Sequence, residues 1–301
     1  MRIAIYGSMA PGKISKEVAE LVALLAARAS RIEIAPAYHR RLGAEFSLPR
    51  VCGKAESPSP DTDLVISIGG DGTFLNAVRW QRGTGIPVAG LNGGHLGYLT
   101  GWMLADYRAF ATDILSGNYL TDYREMLKVS LPEHVAVPDN FYPYALNEVA
   151  VLKESSASMI SVRAETQNGY LATYEADGLI CATPTGSTGY NLSAGGPIIE
   201  PHIPAWALSP VAPHSLNMRP LVVSSETTLR LDVESRTGHA LLSLDGTSVS
   251  IPARDPGCDT AEPRGVLTIV RAPLRQPIVR PRESTFASTL RSKLLWGASP
   301  R

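Results

Sequence analysis

Residues 63–75 read Asp63-Leu64-Val65-Ile66-Ser67-Ile68-Gly69-Gly70-Asp71-Gly72-Thr73-Phe74-Leu75. The first half is an apolar, β-branched run of strand length. The second half is a glycine-rich turn around one carboxylate that passes into helical spacing. A strand ending this way brings backbone N–H groups and a carboxylate to the carboxyl edge of a sheet, where open α/β sheets bind ligands. Gly69, Gly70 and Gly72 let a ligand approach the backbone, and successive N–H groups at a helix start attract anions. Asp71 repels phosphate, so its presence points to proton acceptance or metal binding. The plain alternative is an ordinary strand-to-helix turn with Asp71 as the cap.

The flanking sequence extends the pattern. Arg2 to Tyr6 predicts a strand, and Val18, Leu21, Val22, Leu25 and Ala29 share one face of a helix over Ile14 to Ala29. Ile32 to Ala35 predicts a second strand, and proline and serine mark a loop from Ser47 to Asp61. A helix follows the glycine turn to about Gln81, and Ile86 to Leu91 predicts a further strand. Leu104 to Leu115 predicts another helix, with Gly117-Asn118 as its stop signal. Strands alternating with helices argue for a parallel, Rossmann-like α/β domain over residues 1–118.

From Tyr119 the texture changes to short β-rich runs separated by turn residues. They are Met126–Leu131, Tyr144–Leu152, Met159–Ala164, Leu179–Ala182, Leu221–Val223, Thr228–Val233, Ala240–Leu244 and Val266–Val270. This spacing predicts a second, β-rich domain of sandwich-like architecture over residues 119–271. Residues 272–301 form a closing segment, in which Phe286, Leu290, Leu294 and Leu295 share one face of a helix that needs an apolar surface to cover, most simply the first domain.

Lys plus Arg and Asp plus Glu both total 28, which gives no basic footprint for nucleic acid and little repulsion between copies. Cys52, Cys181 and Cys258 are widely separated and odd in number, which fits a reducing compartment rather than a disulfide framework or zinc site. The N-terminus lacks a signal peptide's apolar core, and no apolar run approaches the ~20 residues that cross a bilayer. The expectation is a cytoplasmic protein without membrane or nucleic-acid partners.

Two further glycine-rich segments could carry chemistry. Asn92-Gly93-Gly94-His95-Leu96-Gly97 follows a strand, as the first turn does, so the two turns would line one cleft; His95 has no visible partner and receives no role. Residues 176–197 combine five glycines with hydroxyls at Thr183, Thr185, Ser187, Thr188, Tyr190 and Ser193, a donor-rich surface suited to ribose, amide or phosphate groups. Asn147-Glu148 is a polar pair inside an apolar strand; a Glu there is costly to bury unless partnered, and the pair could hold a diol. Leu208 to Leu221 contains three prolines and reads as a rigid loop, and Asp245-Gly246 reads as a tight hairpin turn.

Taken in order, GGDGTFL, NGGHLGYLT, LNEVAV, DGLICATPTGSTGYNLSAGGP, PHSLNMRPLV and LDG resemble the motif series of NAD kinases, and FASTLRSKLLW resembles that family's closing helix. The resemblance covers nearly the whole chain. It implies an N-terminal nucleotide-kinase domain, a C-terminal NAD-binding domain and a chain end that returns to the first. The implied reaction moves the γ-phosphoryl group of ATP to the 2′-hydroxyl of NAD's adenosine ribose, giving NADP and ADP. Such transfer asks mainly for positioning and charge neutralisation, with a carboxylate to take the departing proton.

Carried over by position, Asp71 matches the proposed general base, and Gly69, Gly70, Gly72 and Thr73 the phosphate-binding turn. Asp71, Gly72, Tyr98, Asn147, Glu148, Asp177, Thr188, Gly189, Tyr190, Asn191, Leu192, Ser193 and Thr247 match positions lining the NAD site. No protein metal cage is implied: Mg²⁺ or another divalent cation is expected on the triphosphate. Relatives are dimers or tetramers with sites completed across subunits, which implies a homodimer or homotetramer here. The chain departs from the family at Tyr98, usually Phe, at Gly189, usually Ala, and at Thr247, often an amide residue. Rival readings are a lipid kinase of the diacylglycerol or sphingosine type, a phosphofructokinase-like sugar kinase, which shares only the first turn, and a catalytically silent NAD(P) sensor.

Overall fold

Leu64–Ile68 enters a parallel sheet. The structure, a computed structural model, describes residues 1–8, 14–94, 97–133, 135–155, 158–256 and 266–294. His95, Cys258, Leu295 and Trp296 lie outside the described residues. The chain divides into two units: Met1–Tyr123 together with Gln276 and the residues after it, and Arg124–Arg275.

Unit 1 runs β1 (Arg2–Gly7), α1 (Lys16–Ala26), β2 (Arg31–Ile34), α2 (Pro36–Glu45), β3 (Cys52–Lys54), β4 (Leu64–Ile68), α3 (Asp71–Trp80), β5 (Val88–Asn92), β6 (Trp102–Met103) and α4 (Tyr107–Ser116). The strands lie in the order β3-β2-β1-β4-β5, all parallel. β4 and β5 are buried at every position, as strands of a sheet covered on both faces must be. Leu21, Leu25, Ile32, Ile34, Ile66, Leu91 and Phe110 anchor the core. The strand order reverses between β1 and β4, which makes their carboxyl ends the switch point where such sheets bind ligands. The Gly69 turn leaves the sheet there, and the Ser8 N–H donates to the Ile68 carbonyl across the same edge at 2.8 Å.

Unit 2 continues with β7 (Leu120–Ser130, begun in unit 1), β8 (Tyr144–Ala145), β9 (Glu148–Lys153), β10 (Ile160–Thr166), β11 (Gly169–Ala176), β12 (Gly178–Ala182), α5 (Tyr190–Ser193), β13 (Ala205–Val211), β14 (Leu221–Ser224), β15 (Leu229–Glu234), β16 (His239–Leu244), β17 (Thr247–Pro252) and β18 (Val266–Arg280). One antiparallel sheet has the order β14-β13-β12-β9-β16-β17. A second pairs β11, β10, β15 and the start of β18. β15 alternates buried Leu229, Leu231 and Val233 with more exposed Arg230, Asp232 and Glu234, the pattern of a strand with one face in the core. These leucines and valines pack in one core with Val149, Val151, Leu179, Trp206, Leu242 and Leu244 of the first sheet. The other side of β9, β12 and β13 is covered too, around Ala150, Ile180, Ile199 and Ala207, so these strands read as continuous apolar runs.

The end of β18 returns to unit 1, where Ile278 and Val279 pair in parallel with Val88 and Ala89 of β5. It leads to α6 (Phe286–Leu294), which has Phe286 and Leu290 half-buried and no fully buried residue. No helix among the described residues is long and apolar enough to cross a membrane.

Several elements differ from the sequence expectation. The predicted proline-rich loop over Leu208–Leu221 is shorter, because β13 includes Ser209 and Pro210. Pro210 is tolerated because β14 pairs only with Ala205–Leu208, so its missing donor faces no ladder on that side. α2 was not anticipated; Pro36 at its first turn suits a helix start, and only Tyr38 and Leu42 are buried.

Candidate active site

In unit 1 the turn after β4 is built to hold one carboxylate still. Gly69 has φ +150°, and a Cβ there would overlap the Thr73 side chain, so the close turn requires glycine. Asp71 opens α3, and its side chain accepts rather than caps. Oδ2 receives the Tyr98 N–H at 2.8 Å; Oδ1 receives Leu99 N–H at 3.2 Å, Thr100 N–H at 3.3 Å and the Thr100 hydroxyl at 3.2 Å. The two glycine turns expected to line one cleft are thus bonded to each other through Asp71. A Cβ on Gly97 would overlap Asp71 Oδ1, so this approach depends on glycine as well.

Tyr98, beside this contact, has a buried hydroxyl with no hydrogen-bond partner among the described residues. Burial, and then the Asp71 carboxylate, raise its pKa above the ordinary phenol value. A Phe at this position would leave no such group.

In unit 2 the polar pair lies where β9 begins. Asn147 Oδ1 and Glu148 Oε2 are both buried without a partner among the described residues, and Glu148 is 8% exposed. Burial and the nearby Asp245 carboxylate push the Glu148 pKa up to about 8. Asp245 occupies the β16–β17 turn with φ +48°. Its Oδ2 accepts the Leu146 N–H at 2.7 Å, and its Oδ1 accepts Asn147 and Glu148 N–H at 2.8 and 3.1 Å. The Asp245 N–H donates to the Glu148 carbonyl at 3.1 Å. Asp245 therefore holds the strand entry that presents Asn147 and Glu148. Its sequence signal, Asp-Gly between two β runs, looks like any hairpin, while Thr247 beside it is exposed.

The glycine- and hydroxyl-rich stretch divides by function. The Thr183 hydroxyl donates to the Leu146 carbonyl at 2.6 Å and accepts the Gly186 N–H at 3.1 Å, which ties the stretch to the polar pair. A Cβ on Gly186 would overlap the Asn147 carbonyl. Asn191 is fully buried: its amide donates to the Ser187 and Pro197 carbonyls, and its oxygen accepts the Ser209 hydroxyl at 2.7 Å. Its side chain is thus occupied inside the fold. Thr188, Gly189 and Leu192 are half-buried, and Tyr190 and Ser193 are exposed. A Cβ on Gly189 would stand 3.3 Å from Glu148 Oε2 and 3.4 Å from Asn147 Nδ2, which places Gly189 directly over the pair.

Asp177 lies elsewhere. It precedes β12, whose other end, Ala182, pairs with Glu148; five residue steps separate the two, ~16 Å along a strand. There Asp177 forms an ion pair with Lys153 at 2.7 Å. Among the described residues no group of three or more His, Cys, Asp or Glu is arranged to hold a metal ion.

The chain matches two family models, the ATP-NAD kinase N-terminal domain over residues 49–119 and the ATP-NAD kinase C-terminal domain over residues 146–255. NAD kinase of Bacteroides fragilis is 40% identical over 302 residues, covering 100% of both chains. NAD kinase of Porphyromonas gingivalis is 40% identical over 301 residues, covering 100% of this chain and 99% of its own. Among solved structures, an NAD kinase from Archaeoglobus fulgidus in complex with ATP superposes with a TM-score of 0.71 at 26% identity, over 97% of this chain and 99% of that one. Yeast NADH kinase complexed with NADH superposes with a TM-score of 0.82 at 22% identity, over 100% of this chain and 89% of that one, a likeness of fold. Full-length identity at this level, with both family models matched, places the chain in the NAD kinase family.

Proposed function

We propose that the protein makes NADP by transferring the γ-phosphoryl group of ATP to the 2′-hydroxyl of NAD's adenosine ribose, with Asp71 as the proton acceptor. The observation that carries this reading is the Asp71 carboxylate itself, at the switch point of a parallel sheet and fixed by four hydrogen bonds. In the step, a bond forms between the ribose 2′-oxygen and the γ-phosphorus as the bond from that phosphorus to the β,γ-bridging oxygen breaks. ADP leaves with the electron pair, and the hydroxyl proton passes to Asp71.

The N–H groups of the Gly69–Thr73 turn suit the triphosphate. Asp71 offers a single carboxylate, and most of its acceptor positions are already filled. That fits a divalent cation carried by the phosphates and water better than one caged by protein. Mg²⁺ so bound supplies neutralisation of the triphosphate charge.

Asn147 and Glu148 have two buried oxygens without partners among the described residues, which suits the adenosine end of the dinucleotide. Gly189 leaves room above them, and Thr188, Tyr190, Leu192 and Ser193 present surface beside it. Asp177, at the far end of β12, serves the dinucleotide of a second copy in a homodimer or homotetramer. Cys52 and Cys181 are free thiols, consistent with a cytoplasmic protein. Purified protein given NAD, Mg²⁺ and ATP is expected to yield NADP, measured with an NADP-specific dehydrogenase. Folded protein that binds NAD and forms no NADP would contradict the reading.

A further inference from the structure

The hydrogen bonds around Asp71 have a direction, and one side chain sets it. An ionised carboxylate offers about four lone-pair positions over its two oxygens. Among the described residues, Oδ1 takes three donors, at 3.2, 3.3 and 3.2 Å, whereas Oδ2 takes only the Tyr98 N–H at 2.8 Å. The open acceptor position belongs to Oδ2.

The Thr100 hydroxyl is the only side-chain donor in this set. It also accepts the Asn92 amide at 3.1 Å and the Gly97 N–H at 3.0 Å. The Asn92 amide cannot be turned round, because its oxygen accepts the Gly94 N–H at 3.0 Å. With both hydroxyl lone pairs taken, the hydroxyl proton has one destination, Asp71 Oδ1. Thr100 is 1% exposed and Asn92 7% exposed, so water does not readily replace either partner.

We infer that Thr100 is a positioning residue for phosphoryl transfer: held by Asn92 and Gly97, its hydroxyl occupies Asp71 Oδ1 and leaves Oδ2 as the oxygen that takes the substrate proton. The inference rests on Asp71 being the proton acceptor. Without the hydroxyl, the three backbone N–H groups still hold the carboxylate, so substrate binding survives. What is lost is the bias between its oxygens.

The test is steady-state kinetics of Thr100→Val and Thr100→Ser beside the wild type. For Thr100→Val, kcat is expected to fall about 10–100-fold, since small misplacements of a reacting group cost that much. KM for NAD should stay within about threefold, because the three backbone N–H groups still hold the carboxylate. Thr100→Ser, which keeps the hydroxyl, should restore kcat. Unchanged kcat in Thr100→Val, or an equal loss in Thr100→Ser, would overturn the inference.

Asn92→Asp gives an independent arm should the valine variant fail to fold. It replaces the amide donor with an acceptor that competes for the Thr100 proton, so the same kcat loss is expected, and a wild-type kcat would again overturn the inference. Absence of NADP from the wild type would instead defeat the kinase reading, so the two failures are distinguishable.

Discussion

Glu148 and Asp245 stand close together in unit 2 with opposite surroundings. Asp245 accepts the N–H groups of Leu146, Asn147 and Glu148, and Glu148 has a buried oxygen with no partner among the described residues. With its pKa raised from 4.5 to about 8, Glu148 is protonated near neutrality and offers an O–H donor. The folded state then holds a proton that the unfolded chain releases above 4.5, so stability should fall as pH rises through the window from 4.5 to about 8. Urea midpoints should show this fall in the wild type and a flatter profile in Glu148→Gln; identical slopes would mean that Glu148 ionises as freely folded as unfolded. Asp245→Ala should cost about 2–4 kcal/mol, because N–H groups at the β9 entry lose their acceptor. Asp245→Asn, which keeps one acceptor oxygen, should cost less in the same denaturation series. Asp71, Asn147 and Glu148 were legible because a carboxylate in a glycine turn, or a polar pair in an apolar strand, is costly without a purpose. Asp245 and Thr100 were not: their partners lie as much as 99 and 29 residues away, and only folding brings them together.

Periodicity located elements where one face is buried against a core. α1 buries Val18, Leu21, Val22 and Leu25 as its spacing predicts, and α4 ends at Gly117 in the left-handed conformation, φ +72°. It failed where burial is sparse, as in α2, or where a proline obscured a strand, as at Pro210 in β13. The glycine turns were legible as turns lining one cleft, but the hydrogen bonds that join them through Asp71 were not, since these depend on register between β4 and β5. Gly97→Ala is the element-level test of that approach. Its methyl would overlap Asp71 Oδ1, so the Tyr98–Thr100 segment must move off the carboxylate. Turnover should fall at least about tenfold while the fold survives, as judged by circular dichroism. Wild-type turnover would show that this contact does not matter to the reaction.

The chain as a whole reads as an α/β unit followed by a β unit, and β18 carries the end back to the first through Ile278 and Val279. The change from helical to β-rich texture was legible because a doubly covered parallel sheet and a sandwich demand different hydrophobic periods. The return strand was harder to read, because the fifteen residues of β18 pair with three strands, β15, β7 and β5. Asp177 sets a question at this scale, being ~16 Å along β12 from the Glu148 end. Light scattering should give a mass of two or four chains, and Asp177→Ala mixed with Asp71→Asn should recover activity by exchange of subunits. A monomer with full activity would contradict the shared-site proposal. NADP formation from NAD and MgATP by Asp71→Asn beside the wild type, with NAD binding measured by calorimetry on both, tests Asp71 as the proton acceptor. NADP is expected from the wild type, and near-normal NAD affinity with most turnover lost in the variant. Near-normal turnover in Asp71→Asn would contradict that role.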